Sequence, residues 1–436
     1  MKQLFSRRIT GRAIFRDSPF CLCLIFGLDV FLLAARWISW LVMIWRISLC
    51  LLMTVTVVGL AHAQQSALRL YGIVDLGLQW QNIGLRSPSA DMLSSQRIGL
   101  ASGAQSGSRW GLRGEDDLSG GLRAILVLEN GFDATNGTAS QGGRLFGRQS
   151  TLGLQSDRLG QLDVGRQTNL ATKYFLAMDP FAQGFGQANM GASFGSTNTV
   201  RYSNMVLYQT PSMDGLRLGA GYSFDIQASQ LYADNPRTLG NQNQTTDFPS
   251  MNNPRALTLG ATYVSGPWMV SASYDQVMGN LSIPGGAPPS IPRAWVLGGL
   301  YDFKVVKLSL AYGQGSGGAF FGQVPGTSGV GGTGKFTVTG GADVLFEQNF
   351  RSRSYLVGVT APIGGRGMMF GSWQMMQPAG TFSAAVTASQ QIYSLGYSYS
   401  FSAQTDLYTY VSYAQNYAMV RDTFSTMAGL GLRYRF

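Results

Sequence analysis

Two arginines in the segment 108–115 are the first residues whose type and spacing suggest chemistry. Arg109 and Arg113 alternate with the apolar Trp110 and Leu112, and successive side chains of a β-strand point to opposite faces. The pattern predicts a strand with guanidinium groups on one face and apolar groups on the other. Because a guanidinium stays charged in proteins, such a face would attract anions.

Cysteine and histidine, which carry much of enzyme and metal chemistry, are confined to the N-terminal region. The three cysteines are Cys21, Cys23 and Cys50, and the single histidine is His62. From residue 64 onward the sequence offers no thiolate or imidazole for a disulfide, a metal site, or a Cys-His or Ser-His-Asp catalytic group. We therefore expect no catalytic residues, no metal and no cofactor, and we expect that the protein is not an enzyme.

Residues 1–63 differ in character from the rest of the chain and have the features of an extended leader. The motif AHA at 61–63 has the small-residue pattern of a signal-peptide cleavage site, and a charged start and an apolar run precede it. These features predict a functional signal peptide over 43–63, with cleavage before Gln64. Residues 1–42 would then come from an upstream start codon. A genuine membrane anchor is the alternative interpretation.

From residue 68 onward the chain consists of short segments in which apolar and polar residues alternate. Tyr393, Leu395, Tyr397 and Tyr399, for example, fall on one face of a single predicted strand. Sixteen such segments are separated by turn sequences, at 68–80, 108–115, 121–132, 144–156, 160–167, 200–209, 216–224, 256–264, 268–277, 294–302, 305–312, 354–362, 367–376, 391–401, 405–413 and 427–436.

The connections between these segments alternate in length. Short turns follow the even-numbered segments and longer polar loops follow the odd-numbered ones, the longest being 81–107, 168–199, 225–255 and 313–353. Short turns at one rim and long loops at the other are typical of transmembrane β-barrels. A β-propeller would instead show a repeat of about 40 residues, which we do not find. The sequence predicts an all-β fold, a closed transmembrane antiparallel β-barrel of 16 strands over residues 64–436.

The last segment, 427–436, shows the alternation most strictly. Apolar and aromatic residues, ending with Tyr434 and Phe436, alternate with glycine and arginine. We expect this strand to close the barrel by pairing with 405–413 and with 68–80.

The alternation also predicts which residues of 122–129 face water. Two rows are possible, and the more lipid-like one consists of Leu122, Ala124, Leu126 and Leu128. Arg123 and Glu129 then face the lumen, because an arginine at the lipid midplane would cost about 2–4 kcal/mol. Rings of charge inside a pore set its ion preference. Arg109 and Arg123 are therefore the leading lumen candidates, together with Arg113 and Glu129.

Seven ordered internal motifs and the C-terminal YRF carry a family resemblance. The motifs are LYGIVD at 70–75, SRWGLRGEDDLSGGL at 108–122, LENGF at 128–132, LFGRQ at 145–149, GQLDVGRQ at 160–167, RYSN at 201–204 and YQTP at 208–211. Each motif alone is weak, but the ordered set over 64–436 resembles the trimeric general (diffusion) porins of Gram-negative outer membranes, in the β-proteobacterial branch. The resemblance implies a sixteen-stranded barrel, a homotrimer and passive diffusion of small hydrophilic solutes. It also implies a third extracellular loop, roughly 168–199, folded into the lumen.

The resemblance also assigns individual residues. Arg148, Arg166 and Arg201 match family positions, and Arg148 and Arg201 are implied to help form a basic wall. Simple alternation opposes Arg148 and Arg166, which share rows with apolar residues, so a bulge would have to turn them inward or they would reach an interface instead. Asp179, beside Pro180, resembles the acidic group that such loops hold opposite the wall. Basic strands facing one loop carboxylate predict modest anion selectivity.

The expected partners follow from the same resemblance. Tyr434 and Phe436 resemble the C-terminal signal read by the barrel assembly machinery. The protein would contact outer-membrane lipid and lipopolysaccharide, pass small hydrophilic solutes and anions, and bind no nucleic acid. Its expected location is the cell outer membrane of a Gram-negative bacterium.

Three other functions remain open on the sequence. A substrate-specific channel for a carboxylate, a phosphate or a sugar is the main alternative, and an outer-membrane enzyme or an adhesin are the others. The motif GQGSGG at 313–318 fits a dinucleotide-binding pattern, but more glycine follows it where a helix would be required. We expect an external loop there. The acidic run 115–117 could suggest Ca²⁺ binding, but charge at the periplasmic rim is the favoured interpretation.

Overall fold

The computed structural model describes residues 67–86, 93–226, 254–278, 290–320, 327–330, 336–339, 345–379 and 388–436. The predicted leader over 1–63 and its cleavage site lie outside the described residues. Helices within these ranges are short, at Ser140–Gly143 and Leu170–Phe175, with 3₁₀ turns at Gly186–Ala188, Met190–Ala192, Gly195–Thr197 and Tyr417–Met419. No helix in the described ranges is long and apolar enough to cross a membrane.

Nearly all of the remaining regular structure is β-strand. The strands are β1 (Ala67–Leu85), β2 (Leu93–Ser102), β3 (Arg109–Asp117), β4 (Leu122–Gly131), β5 (Gln149–Ser156), β6 (Gly160–Thr168), β7 (Arg201–Gln209), β8 (Leu216–Ser223), β9 (Arg255–Ser265), β10 (Trp268–Met278), β11 (Arg293–Asp302), β12 (Lys307–Ala319), β13 (Thr327–Val330), β14 (Phe336–Thr339), β15 (Leu345–Ile363), β16 (Gly367–Pro378), β17 (Gln390–Ser400), β18 (Thr405–Gln415) and β19 (Thr423–Arg435).

Sixteen strand positions form one closed antiparallel ring. β1 pairs with β3, each strand from β3 to β12 pairs with the next, β12 pairs with β15, and the series continues to β19. β19 then pairs with β1, from Ile73 opposite Arg435 to Leu85 opposite Thr423. Closure pairs the backbone groups of what would otherwise be two sheet edges, as a sheet in lipid requires. The predicted antiparallel barrel of 16 strands is confirmed, including the pairing of its last strand.

Strand β2 corrects the prediction of a loop over 81–107. β1 continues to Leu85, and its outer half pairs with β2, from Leu76 opposite Ser102 to Leu85 opposite Leu93. The inner half of β1 pairs with β3. β2 and β3 therefore share one position in the ring, and the chain leaves that position over 103–108. Glycine and serine there favour a turn. The alternation of apolar and polar residues therefore breaks between β2 and β3, although both strands pair with β1.

The alternation of connection lengths is confirmed. Short turns at 118–121, 157–159, 210–215, 266–267, 303–306, 364–366 and 401–404 all lie at one rim. Other boundaries also differ from prediction, most clearly at three places. The segment predicted as a strand over 144–156 becomes a strand only at Gln149, and 313–318, predicted as an external loop, lies within β12. β15 begins at Leu345, inside the predicted loop 313–353, whereas the sequence predicted a strand from 354.

The two faces of the sheet differ in exposure as a membrane barrel requires. On β12, Leu310 is 50% exposed, whereas its neighbours Ser309 and Ala311 are 4% and 8% exposed. On β19, Leu430, Leu432 and Tyr434 are exposed in the same way. Apolar residues thus face outward, and small or polar residues face inward.

Residues 169–200, which connect β6 and β7, share buried clusters with side chains of the inward rows. Phe175 and Met178 are fully buried and belong to one cluster with Val296 of β11. Phe181 and Phe185 belong to a second cluster that contains Phe370 of β16 and Tyr408 of β18. This segment is therefore packed against several strands at once.

Candidate functional site

Glu129 is the centre of a group of charged side chains on the inward rows of β3 and β4. Its Oε1 accepts a hydrogen bond from Arg148 Nε at 2.7 Å and lies 3.9 Å from Arg109 Nη1. Its Oε2 accepts a hydrogen bond from the Tyr71 hydroxyl at 3.1 Å. The Arg148 and Glu129 side chains are only 13% and 14% exposed. Partial removal from water strengthens such charge-assisted hydrogen bonds.

Arg148 reaches this group because it does not belong to a strand. β5 begins one residue later, so the alternation that placed Arg148 with apolar residues does not apply to it. The Arg148 side chain passes Gly107 and Gly131, where an added Cβ would lie 2.9 Å from its Nη1 and Cδ atoms respectively. Glycine at both positions leaves room for the guanidinium and its stem.

Arg201, the first residue of β7, adds a further guanidinium. Its Nε donates to the carbonyl oxygen of Arg148 at 3.1 Å, and its Nη1 donates to that of Thr199 at 3.0 Å. Backbone carbonyls thus fix the side chain. Arg201 interacts electrostatically with Arg109, Arg148 and Arg166.

Arg166 is turned inward by an irregularity in β6. Its pairing with β7 shifts register between Gly165 and Gln167, and Gly165 has a φ of 127°. Arg166 Nε donates to the Gly147 carbonyl at 2.7 Å, and Nη1 donates to Ser203 Oγ at 2.8 Å. The bulge that the sequence required for this arginine is present.

We call Arg109, Arg148, Arg166 and Arg201 the arginine cluster. Arg109 and Arg148 lie beside the Glu129 carboxylate, and Arg201 interacts electrostatically with Glu129 and with the other three arginines. The arginines next to Glu129 therefore carry more positive charge than this carboxylate offsets. Arg113 and Arg123 lie elsewhere. Arg113 pairs with the exposed Glu115 at 2.8 Å, and Arg123 pairs with Asp157 in the turn between β5 and β6 at 2.7 Å.

Asp179 organises the segment 169–200 from within. It is 4% exposed, and its carboxylate accepts hydrogen bonds from the backbone N–H groups of Phe181, Gln183 and Met190 at 2.8–3.1 Å. Burial raises the pKa of Asp179 to about 6, although these three donors act in the opposite direction. The carboxylate is therefore engaged by the segment's own backbone.

Polar side chains of the wall bind this segment at two places. Near its start, Asn169 Nδ2 donates to the fully buried Asp275 Oδ1 of β10 at 2.8 Å. Further along, Gln374 Nε2 of β16 donates to the carbonyls of Ala188 and Asn189 at 3.1 and 3.0 Å. Buried hydrogen bonds of this kind are costly to break, so the segment has a defined position.

Sequence reasoning missed Asp75, which holds the break between β2 and β3. Its Oδ2 accepts hydrogen bonds from the backbone N–H groups of Gln105 and Ser106 at 2.9 and 2.6 Å, and its Oδ1 accepts one from the Tyr408 hydroxyl. Asp75 is fully buried. Its place in the LYGIVD motif, on the inward row with Tyr71, is the signal that could have identified it.

A second charged group beside this break also went unpredicted. Asp406 of β18 binds Arg433 and lies 2.8 Å from Arg435 Nη2. Arg433 Nη1 also donates to Ser106 Oγ at 2.7 Å. The strict alternation of the last strand placed both arginines inward, but alternation does not reveal which carboxylate they meet.

The residues proposed for assembly close the barrel. Phe436 and Gly72 exchange two backbone hydrogen bonds, of 3.1 and 2.9 Å. An added Cβ at Gly72 would lie 2.3 Å from Phe436 Cζ, so the ring occupies the space above that glycine. The rings of Tyr434 and Phe436 are stacked with centroids 6.3 Å apart.

The acidic side chains of the described residues are engaged by other groups or lie apart. Within the described residues, no group of three or more His, Cys, Asp or Glu side chains is arranged to hold a metal ion. In the acidic run 115–117, Glu115 pairs with Arg113, and Asp117 Oδ1 accepts the backbone N–H of Ser119 in the turn.

Comparison with known proteins agrees with the fold. The Gram-negative porin family matches residues 49–418. An outer membrane porin of Bordetella pertussis is 45% identical over 391 residues, covering 87% of this chain and 96% of that protein. The chain belongs to the Gram-negative porin family, and it is an outer-membrane general diffusion porin.

Solved structures share the fold. An anion-selective porin from Comamonas acidovorans superimposes with a TM-score of 0.59 at 23% identity, covering 85% of this chain and 100% of that one. The trimer form of OmpT, an outer membrane protein of Vibrio cholerae, has a TM-score of 0.53 at 14% identity, with 85% and 99% covered. Members of this family are channels rather than enzymes, so the expectation of a non-enzymatic protein is confirmed.

Proposed function

We propose that this porin forms a water-filled channel with a modest preference for anions. The observation that carries the proposal is the arginine cluster, in which Arg109, Arg148 and Arg201 all interact with the one carboxylate of Glu129. A water-filled passage lined by excess positive charge raises the local concentration of anions. The name of the Comamonas acidovorans porin, anion-selective, is consistent with this preference.

We further propose that 169–200 is the segment that narrows the channel. Its anchors lie on β10 and β16, through Asp275 and Gln374, whereas the arginine cluster belongs to the wall from β3 to β7. Solutes would pass between the segment and the arginines. Arg113 and Arg123, which pair near the short-turn rim, would act at the exit of the channel.

A homotrimer is the proposed assembly. The outward rows of β1 and β2 carry highly exposed aliphatic side chains, namely Leu68, Leu70, Ile98 and Leu100 at 61–77%. Such a surface suits contact with another copy or with lipid. We propose that Tyr434 and Phe436 act in recognition by the assembly machinery. Deleting Phe436 should lower the yield of folded trimer in the outer membrane while leaving the conductance of the surviving channels unchanged; normal yield would contradict this role.

Single-channel recording of the purified protein tests the channel proposal. In a KCl gradient, the reversal potential should indicate a chloride preference, and a clear potassium preference would contradict the proposal. Phosphate, dicarboxylates and sugars should reduce the current only in proportion to their share of the electrolyte. Saturable block by one of these solutes would instead favour the alternative, a substrate-specific channel.

A further inference from the structure

Residues 103–108, which join β2 to β3, lie on the inner side of the barrel wall, and we call them the inner bend. Ala104 packs against the buried cluster that contains Phe185. The Oγ atom of Ser106 accepts a hydrogen bond from Arg433 Nη1, on the inward row of β19, at 2.7 Å. The inner bend therefore projects into the lumen and not toward the surroundings of the barrel.

Asp75 of β1 fixes the backbone of the inner bend. Its Oδ2 accepts hydrogen bonds from the N–H groups of Gln105 and Ser106 at 2.9 and 2.6 Å. Its backbone carbonyl accepts the N–H of Gly103 at 2.8 Å and the hydroxyl of Ser108 at 3.1 Å. Asp75 is fully buried, and buried hydrogen bonds are costly to break. The inner bend therefore has a defined position inside the barrel.

One end of the inner bend is in direct contact with the segment 169–200. The backbone N–H of Phe185 donates a hydrogen bond to the carbonyl oxygen of Ala104. A Cβ added at Gly184 would overlap the carbonyl oxygen of Gln105, so the two backbones meet with no side chain between them. A solute has no room to pass between the inner bend and the segment at this point.

The other end of the inner bend reaches the arginine cluster. Gly107 is exposed, and a Cβ added there would lie 2.9 Å from Arg148 Nη1. Gly107 follows Ala104 by three residues, and three residues of extended chain span at most about 11 Å. The inner bend thus closes the space between the segment 169–200 and Arg148 on this side of the lumen. The exposed surface of Gly107 borders the opening that is left.

We propose that the inner bend is a second pore-narrowing element, and that position 107 sets the size and charge of the opening beside Arg148. The inference rests on the proposed passage between the segment 169–200 and the arginine cluster. The φ of Gly107 lies outside the left-handed region, so its backbone conformation does not require glycine. A side chain at this position would occupy space that permeating ions use, and a charge on it would act on them directly.

Thiol modification of G107C tests the proposal, because the sequence from residue 64 onward contains no cysteine. G107C protein from outer membranes is recorded in planar bilayers before and after reaction with charged methanethiosulfonates, and wild-type protein treated in the same way reports any reaction of the N-terminal cysteines. A negatively charged reagent should lower the single-channel conductance by about 1.5-fold or more, since it fills the opening and repels anions. The anion-to-cation permeability ratio should fall by about twofold with this reagent and rise with a positively charged reagent of similar size.

G99C is the matched control. Gly99 faces the lumen, because its neighbours Ile98 and Leu100 on β2 face outward and are 77% and 68% exposed. Nothing lies within 4 Å of a Cβ added at Gly99. It is four residues from the inner bend, about 13 Å along the strand, which exceeds the Debye length of about 10 Å in 0.1 M salt. The same reagents should therefore change the conductance of G99C by no more than about 1.1-fold in 0.1 M KCl.

Three outcomes would overturn the proposal: a thiol in G107C that does not react, a fully modified G107C channel with unchanged conductance, or equal effects in G107C and G99C. If G107C does not fold, S106C replaces one oxygen atom by sulfur in the same bend and should respond in the same way; an insensitive S106C channel would also overturn the inference. A potassium preference of the untreated wild type would contradict the proposed anion selectivity instead, and the conductance comparison with G99C would still decide the role of the inner bend.

Discussion

Arg148 and Glu129 are joined twice, once through their side chains and once through their backbones. Arg148 Nε donates to Glu129 Oε1 at 2.7 Å, and the backbone N–H of Arg148 donates to the Glu129 carbonyl at 3.2 Å. The backbone bond extends the pairing of β4 and β5 one residue beyond β5. It fixes the position of an arginine that no strand holds, and the carboxylate then fixes the direction of its guanidinium.

The first prediction concerns the charge of this pair. E129Q removes the carboxylate that lies beside Arg109 and Arg148 and should raise the anion-to-cation permeability ratio by about twofold, whereas R148Q should lower it by a similar factor. R123Q, at an exposed ion pair near the rim, serves as the control and should have a smaller effect. Reversal potentials in a KCl gradient measure all three, and equal shifts for R148Q and R123Q would remove the arginine cluster from the selectivity proposal.

The anchor between Asn169 and Asp275 should determine how firmly the segment 169–200 is held. D275A leaves the buried Asn169 amide without this acceptor, a loss of about 1–3 kcal/mol. We expect noisier open-channel currents and faster hydrogen exchange in the segment. D214A, in the turn between β7 and β8, removes an exposed carboxylate and should leave both unchanged. If D275A gives currents as quiet as those of the wild type, contacts other than the one between Asn169 and Asp275 are enough to hold the segment 169–200.

Asp179 makes the stability of the same segment dependent on pH. Its pKa in the folded protein, about 6, is raised above the value of about 3.9 for an unperturbed aspartate. The resulting stabilisation is therefore fully present below about pH 4 and is lost as pH rises through about 6. Opening free energies of the segment, from hydrogen exchange corrected for intrinsic rates, should be larger at pH 5 than at pH 7. D179N should flatten that difference, and an unaltered difference in D179N would assign it to another group.

Glycine at position 72 should be needed for barrel closure. A methyl group in G72A would collide with the Phe436 ring, so either the ring or the strand must move. We expect a lower folded fraction after refolding, measured by heat-modifiable electrophoresis. G99A is the matched control, since nothing lies within 4 Å of the Cβ it would add on β2. Equal folding of the two variants would show that the ring moves away freely.

The mature N-terminus remains a prediction of the sequence alone. Protein isolated from outer membranes should begin at Gln64, because the AHA motif at 61–63 ends an apolar run. Edman sequencing or intact mass decides this. A start well before residue 64 would favour the alternative of a membrane anchor.

Alternation and loop lengths were sufficient to predict the barrel. Each wall side chain faces either lipid or the water-filled lumen, and these two environments alternate from one residue to the next along a strand. The same argument placed Arg109 and Glu129 on the inward face where the structure has them. It could not place Arg148, which precedes its strand, or Arg166, which lies at a bulge. Both residues lie where the backbone departs from regular strand geometry. The alternation argument assumes that geometry, so it fails at these two positions.

The alternation pattern could not predict which side chains form ion pairs or hydrogen bonds with each other. Asp406 and Arg433 are separated by a strand and a turn, and Arg433 also binds Ser106, which is far away in sequence. Such contacts depend on register around a closed ring. Likewise, Asp179 was expected to face the arginines, and no sequence pattern indicated that three backbone N–H groups of its own segment bind its carboxylate.

The pairing of β1 with β19 imposes an order on biosynthesis. Gly72 belongs to the first strand to be translated, and Phe436, its hydrogen-bonding partner, is added only after every other strand. Ring closure is consequently post-translational, and until then the apolar rows and both sheet edges need protection during transit. A chain that ends prematurely within the barrel lacks the partner for its first strand. Such a chain cannot close the barrel, so only fully translated chains can form it.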